Sequence, residues 1–282
     1  MRQDLQLIWL YCWVVNAVQS IVECGRLRCR GPEPSLTDAE AITIELWGEM
    51  IGLSSDMAIW RYADKHLREW FPRLPTRPKF SAQCANLRLL KEEMQVRGFA
   101  PTKDWNAFDG LPLPVCKNVR AGRDKRFSLE ATWSYCASKK EYYYGFKVGA
   151  FMNSSGEIYR FCISAANVDE RVMVEAMTVG MPGRLLADKG MISADLTMVL
   201  DAAGTELVMP MRKNMREGRP SWVIEAAMRL RRLIETAFGR LVEGFDIART
   251  DGRDFWRYSS RICRKIMAYN LTLRLERAFP AA

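Results

Sequence analysis

Histidine is almost missing from this chain: His66 is the only one in 282 residues. That scarcity argues against Ser-His-Asp or Cys-His catalysis, where imidazole is the base. His66 itself falls in a helical stretch and reads as a surface residue. Cysteine occurs eight times, at 12, 24, 29, 84, 116, 136, 162 and 263, but without the paired spacings of a zinc site. Cys24 and Cys29 form one loose pair and no second pair follows. Scattered cysteines in a chain of this length do not describe a disulfide scaffold, and reduced thiols in a cytosolic protein are the plain expectation. No secretory pattern opens the chain, since Met1-Arg2-Gln3-Asp4 runs into apolar sequence without a small-residue cleavage site. Long apolar runs are lacking too. Leu7–Val15 is apolar, but Asn16, Gln19 and Ser20 stop it short of the ~20 residues a bilayer span requires, so a buried amphipathic helix is expected and no membrane anchor. Internal repeats and low-complexity tracts are absent.

What remains is ordinary globular sequence with a basic excess. A hydrophobic fraction of 49% with 27% charged residues suits a folded, core-forming chain of one large domain or two modest ones. Lys and Arg number 42 against 33 Asp and Glu, a formal charge of +9, which favours a polyanionic partner without identifying it.

The first hundred residues read as helical. After Gly31-Pro32-Glu33-Pro34, the sequence Thr37-Asp38-Ala39-Glu40 is a capping box for a helix through Met50. Further helices are expected over Asp56–Trp70 and Ser81–Arg97, separated by the rigid stretch carrying Pro72, Pro75 and Pro78. From about residue 104 the pattern changes. Trp105–Asp109 reads as a short strand, and Tyr142–Met152 with Glu157–Ser164 as a hairpin around Asn153-Ser154-Ser155-Gly156. Arg184–Asp188 and Glu206–Met211 are further strands. Helices are expected over Ser193–Ala203, over Trp222–Glu243 and from Asp254 onward. That alternation predicts an α/β fold, a mixed sheet flanked by helices, preceded by an all-α N-terminal domain.

Three carboxylates stand out on this framework. Asp109, before Gly110, and Asp188, before Lys189-Gly190, each close a predicted strand, where open α/β sheets place their sites. Glu235 borders the apolar stripe Ala227, Leu230, Ile234, Ala237, Phe238 and Leu241 of the long helix. Carboxylates on rigid elements, far apart in sequence, are what two-metal phosphoryl transfer demands: oxygen ligands for ions that activate a nucleophile and neutralise the leaving oxygen. Plainer readings stay open. Asp-Gly is a common turn, and Glu235 has Arg231 and Arg232 within i,i+4 and i,i+3 reach for a surface pair.

The segment Asp109-Gly110-Leu111-Pro112-Leu113-Pro114-Val115-Cys116-Lys117-Asn118-Val119-Arg120 resembles the first-Asp motif of bacterial insertion-sequence transposases, most closely the group numbered 982. Four further matches follow in order: Tyr143-Tyr144-Gly145-Phe146-Lys147-Val148, Leu186-Ala187-Asp188-Lys189-Gly190, Pro210-Met211-Arg212-Lys213-Asn214 and Arg231-Arg232-Leu233-Ile234-Glu235-Thr236-Ala237-Phe238. The resemblance implies a ribonuclease-H-like core with Asp109, Asp188 and Glu235 as a DDE triad, binding Mg2+ (or Mn2+). It implies DNA as partner, both the terminal inverted repeats of an element and target DNA, a homodimer on that DNA, and a cytoplasmic, nucleoid-associated bacterial protein. Three positions depart from the family's pattern: Gly110 where a hydroxyl residue is usual, Gly149 where histidine is usual, and Met191 where an aromatic is common.

Basic residues cluster around these positions. Lys117, Arg120, Arg123, Lys125, Arg126, Lys139, Lys140 and Lys147 lie between the first Asp and the hairpin. Arg212 and Lys213 precede the Glu235 helix, and Lys189, Arg231 and Arg232 flank the acids. All are candidates for phosphate contacts. Trp133, Tyr135 and Tyr142–Tyr144 offer surfaces for unpaired bases or, for at least one tyrosine, strand packing. Arg253, Arg257, Arg261, Arg264 and Lys265 form a basic helical stripe, facing solvent or DNA. The expected organisation is a helical domain over 1–100, serving as support or DNA-end binding module, a catalytic domain over 101–250, and a helical tail over 251–282 packing on the core. Three functions follow: a transposase cutting transposon ends and joining them to target DNA, a catalytically decayed DNA-binding relative, or a ribonuclease-H-like nuclease without strand transfer.

Overall fold

The computed structural model describes residues 2–22, 32–137, 139–178, 181, 183–211 and 218–280. The chain forms two compact units, one comprising 1–98 with 243–282 and the other 99–242.

The first unit is helical. It holds α1 (Arg2–Ile21), α2 (Asp38–Met50), α3 (Asp56–His66), α4 (Arg77–Asn86), α5 (Arg88–Gly98) and α9 (Phe255–Ala278). Helix α2 starts where the capping box predicts: the Thr37 side chain accepts from the Glu40 backbone N–H while Glu40 returns a carboxylate to the Thr37 N–H at 2.7 Å. The run expected as one helix from Ser81 is two, α4 and α5, meeting at Leu87, with Pro78 in the first turn of α4. His66 ends α3 exposed to solvent and stacks on Tyr62 at 4.8 Å between centroids. No helix among the described residues is long and apolar enough to cross a membrane.

Helix α9 departs most from expectation. It packs with α2 and α5 inside the helical unit, and its basic stripe divides: Arg253 and Arg257 are exposed and Arg261 is half-buried, but Arg264 and Lys265 are not at the surface. Arg264 and Lys265 are about 1% exposed or less. Arg264 pairs with Glu45 at 2.8 Å, Glu49 at 2.7 Å and Asp56 at 2.9 Å. Lys265 reaches Glu49 at 2.9 Å, and Lys91 of α5 reaches Glu45 at 2.8 Å. Three cations thus meet three carboxylates in the interior, because a charge taken out of water must find a partner. Burial alone would raise the Asp56 carboxyl, but Arg264 and Arg261 outweigh it and hold it well below the usual range.

The second unit is a six-stranded mixed sheet with helices. Its strands are β1 (Asn106–Pro114), β2 (Thr132–Cys136), β3 (Glu141–Asn153), β4 (Ile158–Ala165), β5 (Gly183–Leu186) and β6 (Thr205–Val208), with α6 (Glu170–Met177), α7 (Ala194–Ala202) and α8 (Ser221–Glu243). The order is β2-β3-β1-β5-β6, with β4 also on β3. β1, β5 and β6 run parallel, and β3 is antiparallel to β1. Gly145 of β3 is paired with Thr132 of β2 on one side and Pro114 of β1 on the other. β2 and β4 therefore lie end to end along the edge of β3 away from β1. The predicted hairpin joins β3 to β4, and Gly156 supplies its positive φ of 81°. β1 runs past Asp109 through two prolines. This is possible because its parallel pairing to β5 ends at Ala107, so the proline nitrogens have no ladder partner on that side.

Candidate active site

The register places the two aspartates side by side. Asn106 pairs with Leu185 and Ala107 with Leu186 across the parallel strands β1 and β5. Two residues further along each chain stand Asp109 and Asp188. Both follow the last shared rung, in the same direction, where the neighbouring strands separate. Asp109 is therefore not a strand terminus, as the sequence suggests, but the point at which β1 loses its parallel partner. Asp188 is exposed and its side chain accepts the Lys189 N–H at 2.8 Å, opening a short 3-10 turn through Met191.

Glu235 is carried by α8, whose buried residues Ala227, Ile234, Ala237, Phe238 and Leu241 follow the predicted stripe. Its carboxylate accepts from Arg231 at 2.6 Å, the i,i+4 pair that the plain reading expects. The same guanidinium also lies 3.6 Å from Asp109 Oδ2. Arg231 thus bridges the strand acid and the helix acid, and only 12% of its side chain is exposed. Among the described residues its Nε is buried without a hydrogen-bond partner, while its terminal nitrogens face Glu235 and Asp109. Its expected role as a phosphate contact does not match this placement.

Electrostatics set Asp109 apart. Burial, the largest influence, raises its carboxyl; Arg231 and the Gly110 N–H, which donates to it at 2.9 Å, pull it back, and Glu170 and Glu235 push it up again. The outcome is about 6, against an ordinary 3.8. A carboxyl poised near neutrality inside a charged cluster marks a candidate functional position.

Glu170 is the residue that sequence reasoning missed. It opens α6 after the N-cap Asp169, and its carboxylate reaches the sheet beside Gly110. A Cβ on Gly110 would run into Glu170 Oε1 and approach Lys147 at 3.2 Å. Across the strand pair, Gly110 is in register with Gly149, where a Cβ would come within 2.6 Å of Met173 and 3.1 Å of Phe108. Two departures from the family pattern are thus one feature: a cross-strand glycine pair over which Glu170 and Met173 of α6 lie. Lys147 is drawn into the same cluster, 3.4 Å from Glu170 and 3.2 Å from the Val168 carbonyl, and is half-buried instead of free for phosphate.

The remaining cations divide simply. Lys117, Arg120, Arg123, Lys125, Arg126, Lys139, Lys140, Lys189 and Arg232 are exposed, Arg126 also pairing with Asp124 at 2.6 Å. Arg212 and Lys213 lie outside the described residues, as do Cys24 and Cys29. A hard divalent cation asks for oxygen donors, and Asp109, Asp188 and Glu235 supply only those, so the donor chemistry fits. Among the described residues, however, no three such side chains converge as a ready metal site. The cation between Asp109 and Glu235 is Arg231.

Comparison with known proteins adds the family. A chain from the piggyBac transposase synaptic complex with hairpin DNA is similar over 97% of this chain and 80% of its own, at 10% identity and a TM-score of 0.45, too distant for any argument to rest on it. No curated protein shows significant similarity. Residues 100–254 match the family model described as the transposase DDE domain. Both aspartates, the glycine pair and Glu235 all fall inside that match, and the chain belongs to the DDE transposase family.

Proposed function

We propose that the chain catalyses DNA cleavage at transposon ends and strand transfer into target DNA, with Asp109, Asp188 and Glu235 as its acidic triad. The observation that carries this reading is the register: Asp109 and Asp188 stand two residues beyond the last rung shared by β1 and β5, while Arg231 ties Glu235 to Asp109. Three parallel strands, an antiparallel partner beside the first and a late helix carrying the third acid support a ribonuclease-H-like core.

In this reading the three carboxylates hold divalent metal, magnesium or manganese, which when bound activates the attacking oxygen and neutralises charge on the leaving one. The protein's own part is placement. The strand ends and α8 fix the acids on rigid elements. Lys189 and Arg232, exposed beside Asp188 and Glu235, hold the phosphate backbone in register. In cleavage a water oxygen bonds to phosphorus and the 3′ oxygen departs with a proton. In strand transfer that 3′-hydroxyl attacks a target phosphate and a target 3′ oxygen leaves. Specific ends, a homodimer on DNA, a bacterial insertion sequence of the 982 group and a cytoplasmic, nucleoid-associated setting belong to the same proposal.

A strand-transfer assay with the element's own ends and Mg2+ or Mn2+ tests it. Wild-type protein is expected to join a 3′ end to target DNA, and Asp188→Asn to lose at least ~100-fold. Full activity of that variant would remove Asp188 from the triad. A second reading, a family member that binds DNA without cutting it, draws on the absence of a ready three-carboxylate cluster among the described residues. Binding to the ends with no metal-dependent product would favour it, and cleavage without joining would favour a plain nuclease.

A further inference from the structure

The β2–β3 pair carries a second feature that the acidic site does not use. Trp133 is in register with Tyr144, and Tyr135 with Tyr142. Side chains two apart on a strand share a face, as do directly paired residues, so these four aromatics form one block. The rings are in contact, with centroids 5.6 Å apart for Trp133–Tyr144 and 5.1 Å for Tyr135–Tyr142. The opposite face of the same strands is core, where Cys136 and Tyr143 cluster with Ala166.

The block is covered at one end only. Tyr144 is buried, its hydroxyl donating to the Phe127 carbonyl at 3.4 Å. Trp133, Tyr135 and Tyr142 remain 48%, 51% and 63% exposed. Three large rings left in water on a sheet-edge hairpin call for a partner.

The surroundings say which. Lys139 and Lys140, both exposed, lead into β3 just before Tyr142. On the other side a 3-10 turn over Asn118–Arg123 is fastened to the block, Asn118 donating to the Tyr142 carbonyl at 2.5 Å. That turn carries Arg120 and Arg123, both exposed. Of the acids in this segment, Asp124 is already taken by Arg126, Glu130 is exposed, and Glu141, exposed next to Tyr142, alternates onto the other face of β3. Flat aromatic faces framed by cations match a polyanion whose own rings are free, which is single-stranded nucleic acid. In a duplex the base faces are already stacked on one another. The block itself is wholly aromatic, although Val119 of the adjoining turn is also exposed.

We propose that Trp133, Tyr135 and Tyr142 form a stacking platform for unpaired bases, separate from the acidic triad and sequence-tolerant. The inference rests on the DNA reading above and deepens it: the protein would hold a DNA end with its terminal bases opened.

Fluorescence anisotropy on the full chain tests this, with labelled oligothymidylate and a duplex of equal length at one fixed salt concentration. The variant is Trp133→Ala/Tyr135→Ala/Tyr142→Ala. Circular dichroism and melting temperature check its fold, and sedimentation its oligomeric state. The expected result is a loss of about tenfold or more on the single strand with at most about a twofold change on the duplex. Trp133→Phe/Tyr135→Phe/Tyr142→Phe should restore most of the single-strand affinity. Equal loss on both DNAs, no loss on either, or a change confined to oligomeric state would overturn the platform. If wild-type protein binds duplex but not the single strand, the platform falls and the transposase reading stands; if it binds neither, both fall. Should the alanine variant unfold, the phenylalanine variant together with Tyr142→Ser decides on the same criterion.

Discussion

At the residue scale, Asp109 and Arg231 carry the sharpest expectations. Asp109 is raised from 3.8 to about 6 in the folded chain, chiefly by burial. The sign follows from that direction. Between those values the folded state binds more protons than the unfolded one, so this group lowers stability as pH rises from about 4 to about 6, with little change above. Two units at ~1.4 kcal/mol each set an upper bound near 3 kcal/mol, and about 1–3 kcal/mol is expected with a side chain 22% exposed. In chelator-treated protein, Asp109→Asn should raise stability at pH 7 by that amount and flatten the profile, as read from denaturant midpoints across pH. Arg231 makes a separate prediction. A guanidinium between two acids competes with any divalent ion for the same oxygens. Arg231→Gln is expected to tighten binding of terbium or magnesium on the order of tenfold, followed by tryptophan-sensitised luminescence or calorimetry. Weaker binding would show instead that Arg231 orients the carboxylates for the metal.

At the element scale, α9 depends on charges that a helical wheel assigns to the surface. Arg264 meets Glu45, Glu49 and Asp56 at once. Arg264→Met leaves buried carboxylates short of a cation and is expected to cost about 3–5 kcal/mol, measured by urea denaturation. The same element shows where reading a sequence stops. Local chemistry is legible: the Thr37–Glu40 capping box, the Asn153–Gly156 hairpin and the α8 stripe each lie within a few residues and follow from backbone geometry. Partners 200 residues apart are not. Nothing near Arg264 announces Glu49, and nothing near Gly110 announces Glu170, because the sheet and the helix packing bring them together. The strand limits of β1 also escaped, since its two prolines suggest a break where an unpaired edge in fact tolerates them.

Across the whole molecule, the positions of the two aspartates were legible because the strand pattern and the family resemblance agree on them. Their common register was not, since it needs the pairing of β1 with β5. Glu235 was legible as a stripe-border acid but not as a residue joined to Asp109 through Arg231. The aromatic block was visible as composition only; that its rings share one exposed face depends on how β2 pairs with β3.

The helical unit draws on both ends of the described chain, 1–98 and 243–282, while the mixed-sheet unit is one uninterrupted stretch. During synthesis, then, the acids of α2 emerge long before the cations of α9 that neutralise them. The sheet unit can finish folding while the helices made first still wait with Glu45 and Glu49 in water. A nascent chain that has not yet reached residue 264 therefore carries the whole stretch of the sheet unit, while the acids of α2 still lack Arg264 and Lys265.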